Sequence, residues 1–289
     1  MSGDYQLVQL ASGGKTLFSA GYGEKMHPGL GPEAEAEVLY VRQLRIAERL
    51  RQQAGEFVIW DVGLGGAANA IAALRGTRDV AGELRLVSFD NTSEPLAFAL
   101  AHAAELAYVS GFENQLSGLL RERRVVFDLG RLKVRWEFQL GDFPAWLAEG
   151  RGTGGAVPPP HAIFYDAFSP AKNPAMWTLP VFENLFARLA ATRPCALTTY
   201  SRSTMIRATL LRAGFHAGVG HATGMKEETT IAANTLDLIA EPLKARWLER
   251  AMRSDSAEPL ASPVYQRSRL LAETLEKLRR HPQFADQAQ

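Results

Sequence analysis

The sequence predicts an α/β protein built on a mostly parallel, Rossmann-like sheet of seven strands. Three observations carry the prediction: short apolar runs alternate with helical segments from about residue 56, a glycine turn closes the first run, and only a short turn separates the last two strands. Strands joined through helices run parallel and are covered on both faces. Strands joined by a short turn must run antiparallel, so the sheet ends in an antiparallel hairpin.

The elements follow in order. YQLVQL and KTLFSA alternate and are split by SGG, a hairpin signal. GYGEKMHPGLGP is a loop rich in glycine and proline. Apolar spacing through Val38, Val41, Leu44 and Leu50 predicts a helix from about Glu33 to Gln53. Residues 1–54 thus form an N-terminal hairpin, entry loop and helix. The core spans residues 55–239. FVIWDVG is its first strand, with AANAIAALR as the helix behind it, and LRLVSFD is the second strand. PLAFALAHAAELAYV and the more polar GFENQLSGLLRERR read as helices. VRWEFQL is the third strand, closed by Gly141 and Asp142, and FPAWLAE is a short helix. RGTGGAVPPP reads as a flexible loop. HAIFYDAF and PCALTTY are strands four and five, with a helix from Ala175 to Ala191 between them and another from Ser201 to Ala213 after them. Phe215–Val219 and Thr229–Ala233 bracket the turn HATGMKEE. Residues 240–289 read as a helical extension in two pieces separated by SDSAEPLASP.

Composition narrows the function. The chain has 289 residues, 46% apolar and 22% charged, enough to bury a core and too apolar for global disorder. No apolar run is long enough to cross a bilayer. The N-terminus lacks a charged segment followed by an apolar one, so no signal peptide is expected. Cys195, the single cysteine, lies in an apolar run and reads as a small core hydrophobe. The expected location is the cytoplasm, with no membrane and no metal involved. Lys+Arg 32 against Asp+Glu 31 leaves a net charge of +1. A nucleic-acid binder of that balance needs its basic residues gathered on one face. The candidate clusters are Arg121, Arg123 and Arg124; Arg131, Lys133 and Arg135; and Arg202, Arg207 and Arg212. The plainer reading of each is a solvated face.

Two places carry chemistry. The first is the turn Asp61-Val62-Gly63-Leu64-Gly65-Gly66-Ala67. Glycines let backbone approach a ligand, and the following helix offers free N–H groups. Asp90 closes the second strand, where a carboxylate takes ribose hydroxyls. Asp142 closes the third, where such folds often contact an adenine amine. Each acid alone is a plausible helix cap; together with the glycine turn they point to adenosine. The turn is not a clean G-x-G-x-x-G, and Asp61, ahead of the first glycine, suits the amino group of a methionine moiety better than a pyrophosphate. S-adenosylmethionine is therefore the expected cofactor rather than a nicotinamide dinucleotide. The second place is the loop after strand four, with Asp166, Phe168, Lys172 and Trp177. Asp166 is placed to accept hydrogen bonds or a proton from an attacking amine. Phe168 and Trp177 suit stacking on a base, or the core, and Lys172 suits a phosphate. His27, beside Glu24 in the entry loop, is a candidate for the substrate pocket, as are Tyr200 and Ser201.

DAFSPAKNPAMW closely resembles the signature D-[AG]-F-[AS]-P-A-K-N-P-x-M-W of the methyltransferase part of the bifunctional tRNA 5-methylaminomethyl-2-thiouridine biosynthesis enzymes, the MnmC family, and of its stand-alone relatives. Residues 61–69 are similar to that family's E-T-G-F-G-T-G-L-N, with Asn69 on its asparagine. Gly224, Lys226 and Glu228 fall on its basic segment, and Ala213 to Phe215 also match. The resemblance implies a class I S-adenosylmethionine-dependent methyltransferase acting on the amine of 5-aminomethyluridine at the tRNA wobble position, with separate enzymes supplying the aminomethyl group. It implies that Asp166 meets the amine, that Gly63, Gly65, Asn69, Asp90 and Asp142 lie on the cofactor, and that Glu24 and Lys226 lie on the substrate side. No glycine-rich flavin motif follows, so the stand-alone form is expected. Two alternatives stand beside it: a methyltransferase for a small-molecule amine, and a non-catalytic binding module on the same fold.

Overall fold

In the computed structural model, which describes residues 4–149, 157–223 and 227–285, the chain opens as a small antiparallel sheet. Its strands are β1 (Tyr5–Gln9), β2 (Lys15–Ser19) and β3 (Glu24–Lys25). The first two are the expected hairpin. β3 forms inside the expected loop because the chain doubles back, and the Met26 N–H donates to the Leu17 carbonyl at 2.8 Å. The helix expected over 33–53 is instead α1 (Pro32–Ala36), a π-helical stretch Glu37–Arg42, and α2 (Ile46–Gln52). Arg45 breaks it with a left-handed φ of 52°. Val41 and Ile46 would lie about 140° apart around a straight helix, yet both are buried. The break turns both onto one core.

The buried apolar runs become one sheet: β4 (Glu56–Val62), β5 (Gly82–Asp90), β6 (Arg124–Leu129), β7 (Leu132–Leu140), β8 (Ala162–Tyr165), β9 (Ala196–Thr199), β10 (His216–Gly220) and β11 (Thr229–Ala233). Its order is β10-β11-β9-β8-β4-β5-β7-β6. β9, β8, β4, β5 and β7 run parallel, while β10 and β11 form the antiparallel hairpin beside β9. The Rossmann-like, mostly parallel organisation is the expected one, with eight strands in place of seven. The extra strand is β6, antiparallel to β7. Its start lies in the segment read as a polar helix. RVVFDL nevertheless alternates exposed and half-buried residues, the period of a strand, and Gly130 turns it back at φ 63°.

Strand alternation sends Phe57 and Ile59 to one face and Val58, Trp60 and Val62 to the other. The first face packs on α3 (Ala68–Thr77), α4 (Glu94–Ala101) and α5 (Glu113–Glu122), the second on α6 (Phe143–Ala148), α7 (Leu179–Ala187) and α8 (Thr204–Arg212). α9 (Ala245–Arg253), α10 (Ala272–Arg279) and α11 (Pro282–Ala285) complete the chain. Trp247, Leu248, Leu278 and Phe284 bury a third cluster on Ala208 and Leu211 of α8 and Ala217 of β10. Residues 151–156 of the expected loop, and Gly224, Met225 and Lys226 of the closing turn, lie outside the described residues.

Leu278 is fully buried in that third cluster. Leu278→Ala is expected to cost about 2–5 kcal/mol, read as a lower urea midpoint at unchanged denaturant slope.

Candidate active site

The carboxyl ends of β4, β5, β7 and β8 open onto a cavity of about 510 Å³, the size of a site for a nucleoside-scale ligand. The glycine turn lines it through Gly63, Leu64, Gly65 and Gly66. Gly63 leaves β4 at φ 95°, and a β-carbon there would sit 2.7 Å from the carbonyl oxygen of Asp166. The two loops cross backbone to backbone, so only glycine fits. At Gly66 a β-carbon would sit 2.5 Å from the Tyr108 hydroxyl, which donates to the Gly66 carbonyl. Ala67 keeps the turn in a left-handed conformation, with its methyl buried.

The three strand-end acids have different fates. Asp90 lines the cavity and accepts from the Gly65 N–H at 2.9 Å and the Thr92 N–H at 3.3 Å. Burial pushes its carboxyl up, and those backbone N–H groups oppose the shift. Asp142 lines the cavity while capping α6, accepting from the Ala145 N–H at 2.7 Å. Asp61 is fully buried and is not among the residues lining the cavity. It shares strand parity with Phe57 and Ile59, and it accepts from the Ser88 hydroxyl at 2.8 Å. Burial pushes its carboxyl up to about 8. Its other oxygen, Oδ1, is buried without a hydrogen-bond partner among the described residues. Asn69 is likewise buried behind the lining, and its Nδ2 donates to Asp166 Oδ2 at 2.7 Å.

Asp166 follows β8, where its N–H donates to the Val62 carbonyl at 2.9 Å, and its side chain lines the cavity. His27 lines it opposite, with Nε2 3.7 Å from Asp166 Oδ2. Glu24 accepts from the Ser169 N–H at 3.1 Å and also from its hydroxyl. Phe168 lines the cavity and stacks on Tyr22 with centroids 4.1 Å apart. Trp177 is not available for stacking on a ligand. It is fully buried, and its indole donates to the Phe168 carbonyl at 2.8 Å, fixing the loop that holds Phe168. Lys172 is exposed beside Gly23, outside the lining. Lys226 lies outside the described residues. Tyr200 lines the cavity, and its hydroxyl donates to the Ala167 carbonyl at 2.9 Å. Burial, reinforced by the Asp166 charge, raises the phenols of Tyr40 and Tyr200. Sequence reasoning missed Tyr22 and Glu35, both on the lining. Tyr22 was signalled only as an aromatic in a glycine-rich loop, and Glu35 by nothing local.

The lining sets carboxylates of Glu24, Glu35, Asp90, Asp142 and Asp166 against Lys25 and His27. Such a cavity favours a cationic ligand. S-adenosylmethionine carries a sulfonium and an ammonium, and its adenosine matches acids at the ends of β5 and β7. These residues fit it: Asp90 and Asp142 would take the nucleoside, and the Gly63–Gly66 turn would lie against it. Some members of each basic cluster serve other ends. Arg207 is buried, paired with Glu228 at 3.1 Å and donating to the Thr229 carbonyl at 2.8 Å. Arg135 and Lys133 pair with Glu56 and Glu83 at 3.7 and 4.0 Å, and Arg123 lies over the Phe138 ring.

Residues 132–235 match a family described as S-adenosyl-L-methionine-dependent methyltransferase. Fold, cavity and family match define the protein as an S-adenosyl-L-methionine-dependent methyltransferase. Within that class it carries an MnmC-like methyltransferase domain. The tRNA 5-methylaminomethyl-2-thiouridine biosynthesis bifunctional protein MnmC of Ralstonia nicotianae is 31% identical over 231 residues, covering 75% of this chain and 33% of the relative. MnmC2 of Aquifex aeolicus superposes with a TM-score of 0.68 at 27% identity, covering 96% of this chain and 83% of that one. Spermidine synthase of Thermotoga maritima, at 9% identity and a TM-score of 0.50 over 94% of this chain and 79% of its own, shares the fold alone. The chain spans about a third of the length of the MnmC relatives it matches. No helix among the described residues is long and apolar enough to cross a membrane.

Gly63→Ala is expected to weaken S-adenosylmethionine binding at least tenfold by calorimetry, on the order of 1.4 kcal/mol or more, because the new methyl pushes the Asp166 loop away. Asp61 tests the buried acid. Its folded form holds a proton up to about pH 8, whereas an unfolded aspartic acid loses its proton near pH 4. Its contribution to stability is therefore fully present below pH 4 and is lost as pH rises toward 8. Asp61→Asn should flatten that part of the stability–pH curve in urea titrations.

Proposed function

We propose that the protein methylates the primary amine of 5-aminomethyluridine at the wobble position of tRNA, in the cytoplasm, on a base prepared by separate enzymes. The observation that carries this reading is Asp166, held by Asn69 on the lining of a cavity rich in carboxylates. The cofactor supplies an electrophilic methyl group on sulfur. Asp166 accepts hydrogen bonds from the amine and aims its lone pair, and most of the acceleration comes from this positioning. Phe168, backed by Tyr22, offers a ring to the uracil. Lys25, Lys172 and Arg202, with no ion pair among the described residues, offer cations to phosphates at the carboxyl edge. The name of the Ralstonia relative, a tRNA 5-methylaminomethyl-2-thiouridine biosynthesis protein, supports the choice of substrate.

A small-molecule amine is the second reading. It is favoured by the arginines spent on internal ion pairs. Loss of tRNA mobility shift even at low salt would select it.

Labelled S-adenosylmethionine should transfer its methyl to tRNA bearing 5-aminomethyluridine and not to unmodified tRNA. Absence of transfer sinks the tRNA assignment. Asp166→Asn should lower kcat by roughly 10²–10⁴-fold with cofactor affinity preserved. An unchanged rate removes Asp166 from the chemistry.

A further inference from the structure

An alkylammonium loses its proton near pH 10, so at neutral pH roughly one amine in a thousand has the lone pair that methyl transfer needs. A base must take that proton, and a route must carry it off. We infer that His27 is that base and Glu35 its outlet. This rests on the proposed amine substrate.

His27 stands between two carboxylates on the cavity wall: Nε2 is 3.7 Å from Asp166 Oδ2, and Nδ1 is 4.0 Å from Glu35 Oε2. Both carboxylates are held by a neighbouring amide. Asn69 donates to Asp166 Oδ2, and the Gly29 N–H donates to Glu35 Oε1, leaving Oε2 toward the imidazole. Glu35 comes from α1, Asp166 from the loop after β8, and His27 from the turn after β3, so the row exists only in the folded chain. Burial pushes the Glu35 carboxyl up, while the neighbouring His27 and the Gly29 N–H oppose this. A carboxyl so placed takes up a proton more readily than an exposed one. His27 also has a left-handed φ of 52°, and Pro28 follows it. That conformation is costly for a residue with a β-carbon, and such strain collects at functional positions. The other titratable groups on the cavity wall nearby are Glu24 and Lys25 on β3, Tyr22, and Tyr200 after β9. Glu24 is occupied by Ser169, and Tyr200 by the Ala167 carbonyl.

The step balances. The substrate ammonium, hydrogen-bonded to Asp166, gives an N–H proton to His27 Nε2. The freed lone pair forms the N–C bond as the C–S bond breaks. The imidazolium passes a proton from Nδ1 to Glu35, which exchanges it with solvent.

His27→Gly tests the base, because glycine keeps the left-handed backbone and leaves room for free imidazole. Single-turnover transfer to tRNA bearing 5-aminomethyluridine should fall roughly 10²-fold or more, with calorimetric affinity for S-adenosylmethionine retained. Added imidazole should restore the rate in proportion to its neutral form. An unchanged rate, or a loss that imidazole does not restore, overturns the proposal. The row is also read without turnover, by the ring signals of isotope-labelled histidine. The pH at which the His27 signals move should drop in both Glu35→Gln and Asp166→Asn, and no movement in either overturns the coupling. If the wild type methylates no tRNA, the substrate reading fails alone, and the histidine titration still decides the row.

Discussion

The site depends on one contact between backbones: Gly63, leaving β4, passes directly under the carbonyl of Asp166, leaving β8. The Asp166 N–H donates to the Val62 carbonyl, extending the parallel ladder by one step before the strands part. The two loops therefore diverge from a fixed point. One becomes the glycine turn on the cavity wall; the other carries the Asp166 carboxylate to the same cavity. Tyr108 and Trp177 brace the loops from behind, through the Gly66 and Phe168 carbonyls. A pair of loops fixed this way keeps the cavity wall in place without needing motion to assemble it.

Around that crossing, charge is sorted by location. Carboxylates gather on the cavity wall, while many of the arginines and lysines are spent on ion pairs and ring contacts elsewhere in the sheet and helices. The near-zero net charge thus hides a strongly acidic hollow. Such a hollow lowers the cost of bringing in a cationic ligand.

Much of the fold could be read from local pattern. The parallel strands, the closing hairpin and the glycine turn each have a signature within a few residues. β6 escaped because the charged residues at its start read as the end of a helix, although its period was that of a strand. The helix expected over 33–53 failed for a different reason: periodicity assumes one straight axis, and Arg45 bends the chain to bury both sides of the break. Of the site, Asp90, Asp142, Asp166 and Phe168 lie on the cavity as expected. Asp61 and Trp177 are fully buried and are not on its lining.

What the sequence determined alone was the alternation of strand and helix, the glycines where loops cross, and acids at strand ends, since all of these are written in neighbouring residues. Only the tertiary structure decided which acid lines the cavity and which is buried, that Asn69 serves Asp166, and that His27 meets Asp166. Those outcomes rest on segments far apart in the chain being brought together, as the 97 positions between Asn69 and Asp166 show. No local pattern encodes that distance.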